Sequence, residues 1–395
     1  MKKVRVGDLR LGKEEEEAIL EVVRSNRISE STKVYQFENV WADFVGTKHC
    51  VLVNSGTSAL IAGLLALKHK YNLADNTNVI TSPVTYISTV NAITLAGFNP
   101  VFVDLNREDF TMSVSSLESL LKNSNPEDYS VVLPVHLMGY VNDMDAIKKI
   151  AWDHGLFVFE DSAEAHGSIY KGKKAGSLSD ISAFSFYIAH NIQAGEMGAV
   201  NTNDNDLATL VKKIKSNGRV CDCRVCVRDK GKCVHYDDAS DPRFTHDIIG
   251  YNFKAMDFQA AIALSQLRKI EHILSARRDN VKYLNDGLEK FSKILQLPKY
   301  SSDVSYLAYP ILIKDEKISR EKLCSDLESK GVETRPLFGC IPTQQPAYAH
   351  LREKYLGKIP NAEFIGGRGF YIGCHQYLEK NDLDHIIKSF EEVLK

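Results

Sequence analysis

A chain of 395 residues, 44% hydrophobic and 25% charged, is long enough to bury one large core and a second, smaller one. Its 49 basic and 51 acidic residues leave a net charge of −2, which gives no basis for a nucleic-acid or membrane-surface partner. No run approaches the roughly 20 apolar residues of a membrane span, and Met1-Lys2-Lys3-Val4-Arg5 does not open a secretory leader, so a cytoplasmic location is expected. In that compartment the eight cysteines are expected to be thiols or metal ligands rather than disulfides.

An amphipathic pattern over residues 14–23 predicts a helix. From there to about residue 200, short apolar runs alternate with helical stretches. Val51-Leu52-Val53 precedes a helix at 59–68, and Asn78-Val79-Ile80 precedes one at 87–96. Val101-Phe102-Val103 ends in Asp104, and Ser130-Val131-Val132-Leu133 precedes a helix at 144–154. Leu156-Phe157-Val158-Phe159 runs into Glu160-Asp161. Such alternation predicts an α/β domain around a mostly parallel sheet, with function at the C-terminal ends of its strands. The expected organisation is an N-terminal segment (1–30), a large domain (31–254) with a cysteine-rich loop at 221–233, and one long connecting helix (255–274). A smaller C-terminal α+β domain (275–395) follows, with a strand at 308–313 and helices at 318–330 and 382–394.

Several segments carry candidate chemistry. Asn54-Ser55-Gly56-Thr57-Ser58-Ala59-Leu60 follows a strand and opens a helix. Glycine permits close backbone approach there, the helix N-terminus offers unpaired N–H groups to an anion, and the Thr57 and Ser58 hydroxyls add donors. Taken alone, such a stretch is more often a plain helix cap. Asp161, in Glu160-Asp161-Ser162-Ala163-Glu164-Ala165-His166-Gly167, is either a capping residue or a buried carboxylate facing a cationic group. Tyr86, in Thr81-Ser82-Pro83-Val84-Thr85-Tyr86, is either a core residue or a stacking platform. Arg335 and Lys254 are solvated charges or partners for a phosphate or carboxylate. Cys221-Asp222-Cys223-Arg224-Val225-Cys226 and Cys233 place four thiols within thirteen residues, which favours metal binding over chance, with His235 a weaker ligand. His190 is set in Phe184-Ser185-Phe186-Tyr187-Ile188-Ala189-His190-Asn191-Ile192-Gln193-Ala194-Gly195-Glu196-Met197-Gly198. Without context, a lone histidine is more often structural than catalytic.

Together these segments resemble the DegT/DnrJ/EryC1/StrS sugar aminotransferases, pyridoxal-phosphate (PLP) enzymes of fold type I. The resemblance covers nearly the whole chain, since Val135-His136-Leu137-Met138-Gly139, Gly250-Tyr251-Asn252-Phe253-Lys254-Ala255-Met256-Asp257 and Glu333-Thr334-Arg335-Pro336-Leu337-Phe338 fit as well. It implies a PLP-binding large domain and a smaller C-terminal domain. It also implies a phosphate held by Gly56, Thr57, Ser58 and Ser185, a pyridine nitrogen faced by Asp161, and Tyr86 stacked on the ring. Asn252 would reach the phosphate of the neighbouring subunit in a homodimer. Glu164 stands where the family usually carries glutamine, close to the ring hydroxyl or the sugar.

In most of that family a lysine stands where His190 stands and tethers the cofactor, a bond that an imidazole cannot form. The resemblance therefore narrows to the sugar 3-dehydratases of dideoxysugar biosynthesis, which carry histidine here. They hold the cofactor as its amine (PMP) and remove the C3 hydroxyl of a nucleotide-linked 4-keto-6-deoxy sugar, with His190 implied as the acid/base. One branch relays electrons from a separate reductase through a 2Fe–2S cluster on a C-x-C pair and a later cysteine. Its remaining ligand comes from the strand-end segment, where this chain has Ala163. Cys221, Cys223, Cys226 and Cys233 would then complete a four-cysteine cluster, hold zinc, or hold nothing. The other branch regenerates PMP with glutamate and needs no cluster. The sequence leaves the two branches open. It also leaves open an aminotransferase whose lysine has been replaced or is supplied elsewhere, and a catalytically silent partner subunit.

Overall fold

The computed structural model describes residues 3–221, 223, 230, 231, 233 and 241–394. Nine strands occupy its first half: β1 (His49–Val53), β2 (Asn78–Thr81), β3 (Asn99–Phe102), β4 (Tyr129–Leu133), β5 (Phe157–Asp161), the short hairpin β6 (Ile169–Tyr170) and β7 (Lys173–Lys174), β8 (Ile181–Ser185) and β9 (Gly198–Thr202). Seven form one sheet in the order β1-β9-β8-β5-β4-β2-β3. β9 is antiparallel to both neighbours and every other pairing is parallel, so six strands point the same way. The continuous apolar runs suit this arrangement, because helices cover both faces of a parallel sheet. The expected mostly parallel α/β domain is what the chain adopts.

Helices α1 (Lys13–Ser25), α2 (Thr32–Val45), α3 (Gly56–Tyr71) and α4 (Ile87–Leu95) open the chain. α3 lies very close to the sheet. A Cβ at Gly63 would fall 2.5 Å from the Phe159 ring, so only glycine lets helix and strand meet there. On the other side, α2 delivers Trp41 into an aromatic cluster, with ring centroids 5.1 Å from Phe184 and 4.9 Å from Phe186. Each such pair adds about 0.5–1.5 kcal/mol beyond area burial. The cluster anchors the end of β8 and the chain that leads to His190.

The C-terminal part holds a four-stranded antiparallel sheet of β10 (Leu295–Gln296), β11 (Tyr309–Ile313), β12 (Arg335–Pro336) and β13 (Gly369–Ile372), ordered β10-β11-β13-β12. The single helix expected at 255–274 is instead two helices, Asp257–Arg268 and Ile270–Leu288, and the second runs well beyond the expected end. The break falls at Lys269, with φ −99° and ψ 4°. No glycine or proline marks it. Its setting is tertiary, because Lys269 Nζ reaches the buried Glu15 Oε1 of α1 at 2.7 Å, and Ser265 Oγ donates to the same oxygen at 2.8 Å.

Candidate active site

A cavity of about 500 Å³ opens at the C-terminal ends of β1, β5 and β8, where a parallel sheet is expected to place its ligands. Its walls include Gly56, Thr57, Tyr86, Asp161, Glu164, Ser185 and His190, with Leu307, Phe338 and Tyr371 contributed from the C-terminal part. Seven of the residues singled out from sequence thus meet around one space.

The anion end is built by the β1–α3 turn. Ser55 caps the sixteen-residue α3, its side chain accepting the Ser58 N–H at 3.1 Å. The N–H groups of a helix's first turn lack intrahelical acceptors and carry the positive end of the dipole, so Gly56 and Thr57 present donors to the cavity. Gly56 faces Ser185 so closely that an added Cβ would lie 2.5 Å from the Ser185 Cβ. Ser58 stands outside the cavity lining, and its hydroxyl donates to Asn54 Oδ1 at 2.7 Å, which secures the turn. Asn252 is also outside this chain's cavity. It is exposed and bridges to Ser216.

At the end of β5 the strand alternation sends Glu160 and Asp161 to opposite faces. Glu160 Oε2 lies 2.9 Å from His136 Nε2 in a fully buried pair and also accepts from Gly176 N–H. Asp161 enters the cavity wall. Its carboxylate accepts from Thr89 Oγ1 at 2.8 Å and from the Ala163 N–H at 3.2 Å. Burial raises its pKa above the ordinary carboxylate value, against the pull of those two donors. A buried carboxylate whose hydrogen bonds among the described residues come from neutral donors is suited to a cationic N–H arriving from a ligand. Glu164 Oε2 accepts the Met138 N–H at 2.7 Å, and burial pushes this carboxyl up to about 8. At neutral pH the cofactor-free cavity therefore holds Glu164 largely as the acid, a donor.

His190 follows the aromatic anchor at 184–186, and its backbone N–H donates to Tyr187 O at 2.9 Å. The imidazole lines the cavity with Nδ1 closed off from solvent, and burial lowers its pKa to about 4. It is thus an uncharged base across the neutral range. Among the described residues lining the cavity none is a lysine.

Other lining residues escaped the sequence reading. Thr85 and Thr89 lie one helical turn apart, with their hydroxyls at 2.9 Å, and couple Tyr86's segment to Asp161. Phe338 reaches Tyr86 at a centroid distance of 5.8 Å because Val84 bridges to Cys340, far away in sequence. No local pattern announces that contact. Arg335 is exposed and pairs with Glu333 at 2.5 Å, away from the lining. Lys254 borders a separate groove with Cys221 and Cys223. Cys221 is buried, Cys223 exposed and Cys233 half-buried, and no three metal-capable side chains gather among the described residues. Cys226 and His235 lie outside the described residues.

Residues 9–391 match the profile of the DegT/DnrJ/EryC1/StrS aminotransferase family. GDP-perosamine synthase of Caulobacter vibrioides is 32% identical over 398 residues, covering 99% of this chain and 98% of that protein. The dTDP-4-dehydro-2,6-dideoxy-D-glucose 3-dehydratase of Saccharopolyspora spinosa is 32% identical over 398 residues, covering 97% and 85%. Among solved structures, the E coli GDP-4-keto-6-deoxy-D-mannose-3-dehydratase with bound hydrated PLP matches at a TM-score of 0.88 and 26% identity, covering 100% of each chain. With its fold, its cavity and a family match that spans all but the ends, this chain belongs to the DegT/DnrJ/EryC1/StrS aminotransferase family.

Proposed function

We propose that this protein is a PMP-dependent 3-dehydratase that removes the C3 hydroxyl of a nucleotide-linked 4-keto-6-deoxy sugar. The observation that carries the reading is His190, an uncharged imidazole in the cavity wall at the motif position of the family's lysine, with no lysine among the described lining residues. The cavity fits the cofactor on its own terms. The first turn of α3 and Ser185 suit a phosphate, and Asp161 suits a protonated ring nitrogen. Tyr86, 60% exposed at the start of α4, has a ring face free to stack.

When bound, the cofactor supplies an amine and an electron sink. Asp161 would keep the ring nitrogen protonated, and Thr89 fixes the carboxylate that does so. Glu164, protonated near neutrality, offers a hydrogen bond to the ring hydroxyl or the sugar. His190 would be the group that moves a proton at the cofactor's C4′ and at the C3 oxygen of the sugar. Untethered, it leaves the cofactor free to be held as the amine. Asn252, exposed on its own chain, is assigned to the phosphate of the neighbouring subunit's site in a homodimer. Glutamate is assigned as the amine donor. Ala163, in the cavity wall where the reductase-coupled branch carries its remaining cluster ligand, favours that assignment.

Product analysis tests the proposal. The protein is incubated with PLP, glutamate and a panel of 4-keto-6-deoxy nucleotide sugars, without a reductase. Loss of the C3 oxygen with release of ammonia is expected, and His190→Asn should abolish it while PLP binding persists. A C4-aminated product that keeps its C3 hydroxyl would instead establish an aminotransferase.

A further inference from the structure

Behind the cavity wall lies a charge that the proposed chemistry leaves without a task. Arg277, on the helix Ile270–Leu288, is 1% exposed, yet no carboxylate pairs with it among the described residues. A cation buried without a counter-ion costs several kcal/mol, so its retention calls for a reason. One guanidinium nitrogen donates to two consecutive carbonyls, Tyr306 O at 3.1 Å and Leu307 O at 2.7 Å. The carbonyl before them, Ser305 O, accepts from Asn191 Nδ2 at 3.0 Å, and Asn191 is the chain neighbour of His190. Tyr306 sits at φ 46°, a left-handed conformation that costs a tyrosine on the order of 1–3 kcal/mol and persists only because its surroundings enforce it.

The same strap runs on to the other polar side of the cavity. Leu307 lines the cavity, and its N–H donates to Met138 O at 3.3 Å. The Met138 N–H in turn donates to Glu164 Oε2 at 2.7 Å. The N–H of Ser305 is held by Ser168 Oγ at 2.9 Å. Residues 305–307 therefore connect the segment carrying His190 to the residue that orients Glu164, and Arg277 is the side chain that grips their carbonyls.

We propose that Arg277 is a positioning residue, clamping the strap at 305–307 so that His190 and Glu164 keep a fixed relation across the cavity. This deepens the dehydratase reading and rests on it. The charge itself has a second consequence. Around His190 stand His166, whose ring centroid is 5.9 Å away, Tyr187 at 6.3 Å and Arg277, with Asp161, Glu164, Glu196 and Tyr371 elsewhere in the cavity wall. Arg277 itself faces Cys374 and Tyr377, and burial raises the Cys374 thiol to about 11, so no thiolate offsets the cation at neutral pH. Burial is the main force against protonation of His190; the Tyr187 backbone favours it, and the Arg277 charge adds a smaller opposition.

The experiment compares Arg277→Met, which removes the charge, with Arg277→Lys, which keeps it on a shorter-reaching point donor. In cofactor-free protein carrying 15N-histidine, NMR follows the His190 imidazole against pH. Steady-state kinetics on the loaded enzyme separate kcat from the sugar KM. Expected for Arg277→Met is a His190 midpoint raised above its wild-type position near 4, and for both variants a kcat lower by roughly 10- to 100-fold with KM little changed. A wild-type midpoint in Arg277→Met overturns the electrostatic part, and a wild-type kcat in Arg277→Lys overturns the clamp. Should the Met variant not fold, the Lys variant decides the proposal. His190→Asn is assayed alongside. If it keeps full turnover the dehydratase reading fails, whereas the NMR result on Arg277 stands apart from which reaction is catalysed.

Discussion

Glu164 Oε2 accepts from the N–H of Met138, its one hydrogen bond among the described residues, and Met138 is held at φ 57°, so a left-handed backbone turn supports a buried carboxyl. That single donor does not offset desolvation, and the carboxyl is pushed up to about 8. Between its unfolded pKa near 4.5 and this folded value, the native state binds a proton that the unfolded chain releases. Cofactor-free protein should therefore lose stability as pH rises from about 4.5 to 8, by on the order of a few kcal/mol from this group. Glu164→Gln should flatten that dependence. Urea unfolding of both proteins at pH 5 and pH 8 checks it, and parallel slopes would remove Glu164 as the cause.

Much of the large domain was legible because its signals are local. Short apolar runs bounded by turns marked β1, β2, β4 and β5, and the family motifs gathered Gly56, Asp161, Glu164, Ser185 and His190 around one cavity. What stayed hidden depends on contacts distant in sequence. The break at Lys269 answers to Glu15 across more than 250 positions, and Phe338 meets Tyr86 only because Val84 pairs with Cys340. Two-residue strands such as β10 and β12 are too short to show an alternation. Ser58 shows a different limit. Sequence identifies a hydroxyl at a helix start but not the direction it faces, and here it turns to Asn54.

The Thr89 hydroxyl donates to Asp161 at 2.8 Å in the buried wall of the cavity. Thr89→Val keeps the shape and removes that donor. A hydrogen bond to a charged group is worth about 1.5–3 kcal/mol, so PLP affinity should fall by roughly tenfold or more. Titration of the cofactor-free variant with PLP measures this, and an unchanged Kd would show that Thr89 does not support the ring-facing carboxylate.

Gly56 approaches the end of β8 with no room for a methyl group, the nearest contact being the Cβ of Ser185 at 2.5 Å. Part of the obstruction is strand backbone, with Ser185 Cα at 3.3 Å, so relief requires α3 or β8 to move. Gly56→Ala should destabilise the fold by about 1–3 kcal/mol and weaken PLP binding more than Thr89→Val does. The two effects part company in Ser55→Ala, which loses a helix cap worth about 1 kcal/mol but leaves the close approach intact. Equal PLP affinity in Gly56→Ala and wild type would mean that the turn does not hold the phosphate.

His190→Lys asks whether this position can still reach the cofactor aldehyde. Burial that holds the imidazole near 4 would act on a lysine in the same direction, disfavouring the ammonium and leaving a larger share of free amine. A free amine against a bound aldehyde forms a covalent adduct, which an imidazole cannot do. The variant should therefore absorb in the visible with PLP bound and retain the label irreversibly after borohydride, while wild-type protein treated identically releases its cofactor on denaturation. C3 deoxygenation should fall steeply in the same variant, because the proton carrier is lost and the cofactor is tethered. Mass spectrometry of the reduced protein locates the adduct. A label on any lysine of the wild-type chain would overturn the untethered reading, and a variant that stayed unlabelled with PLP bound would place His190 too far from the cofactor to move its proton.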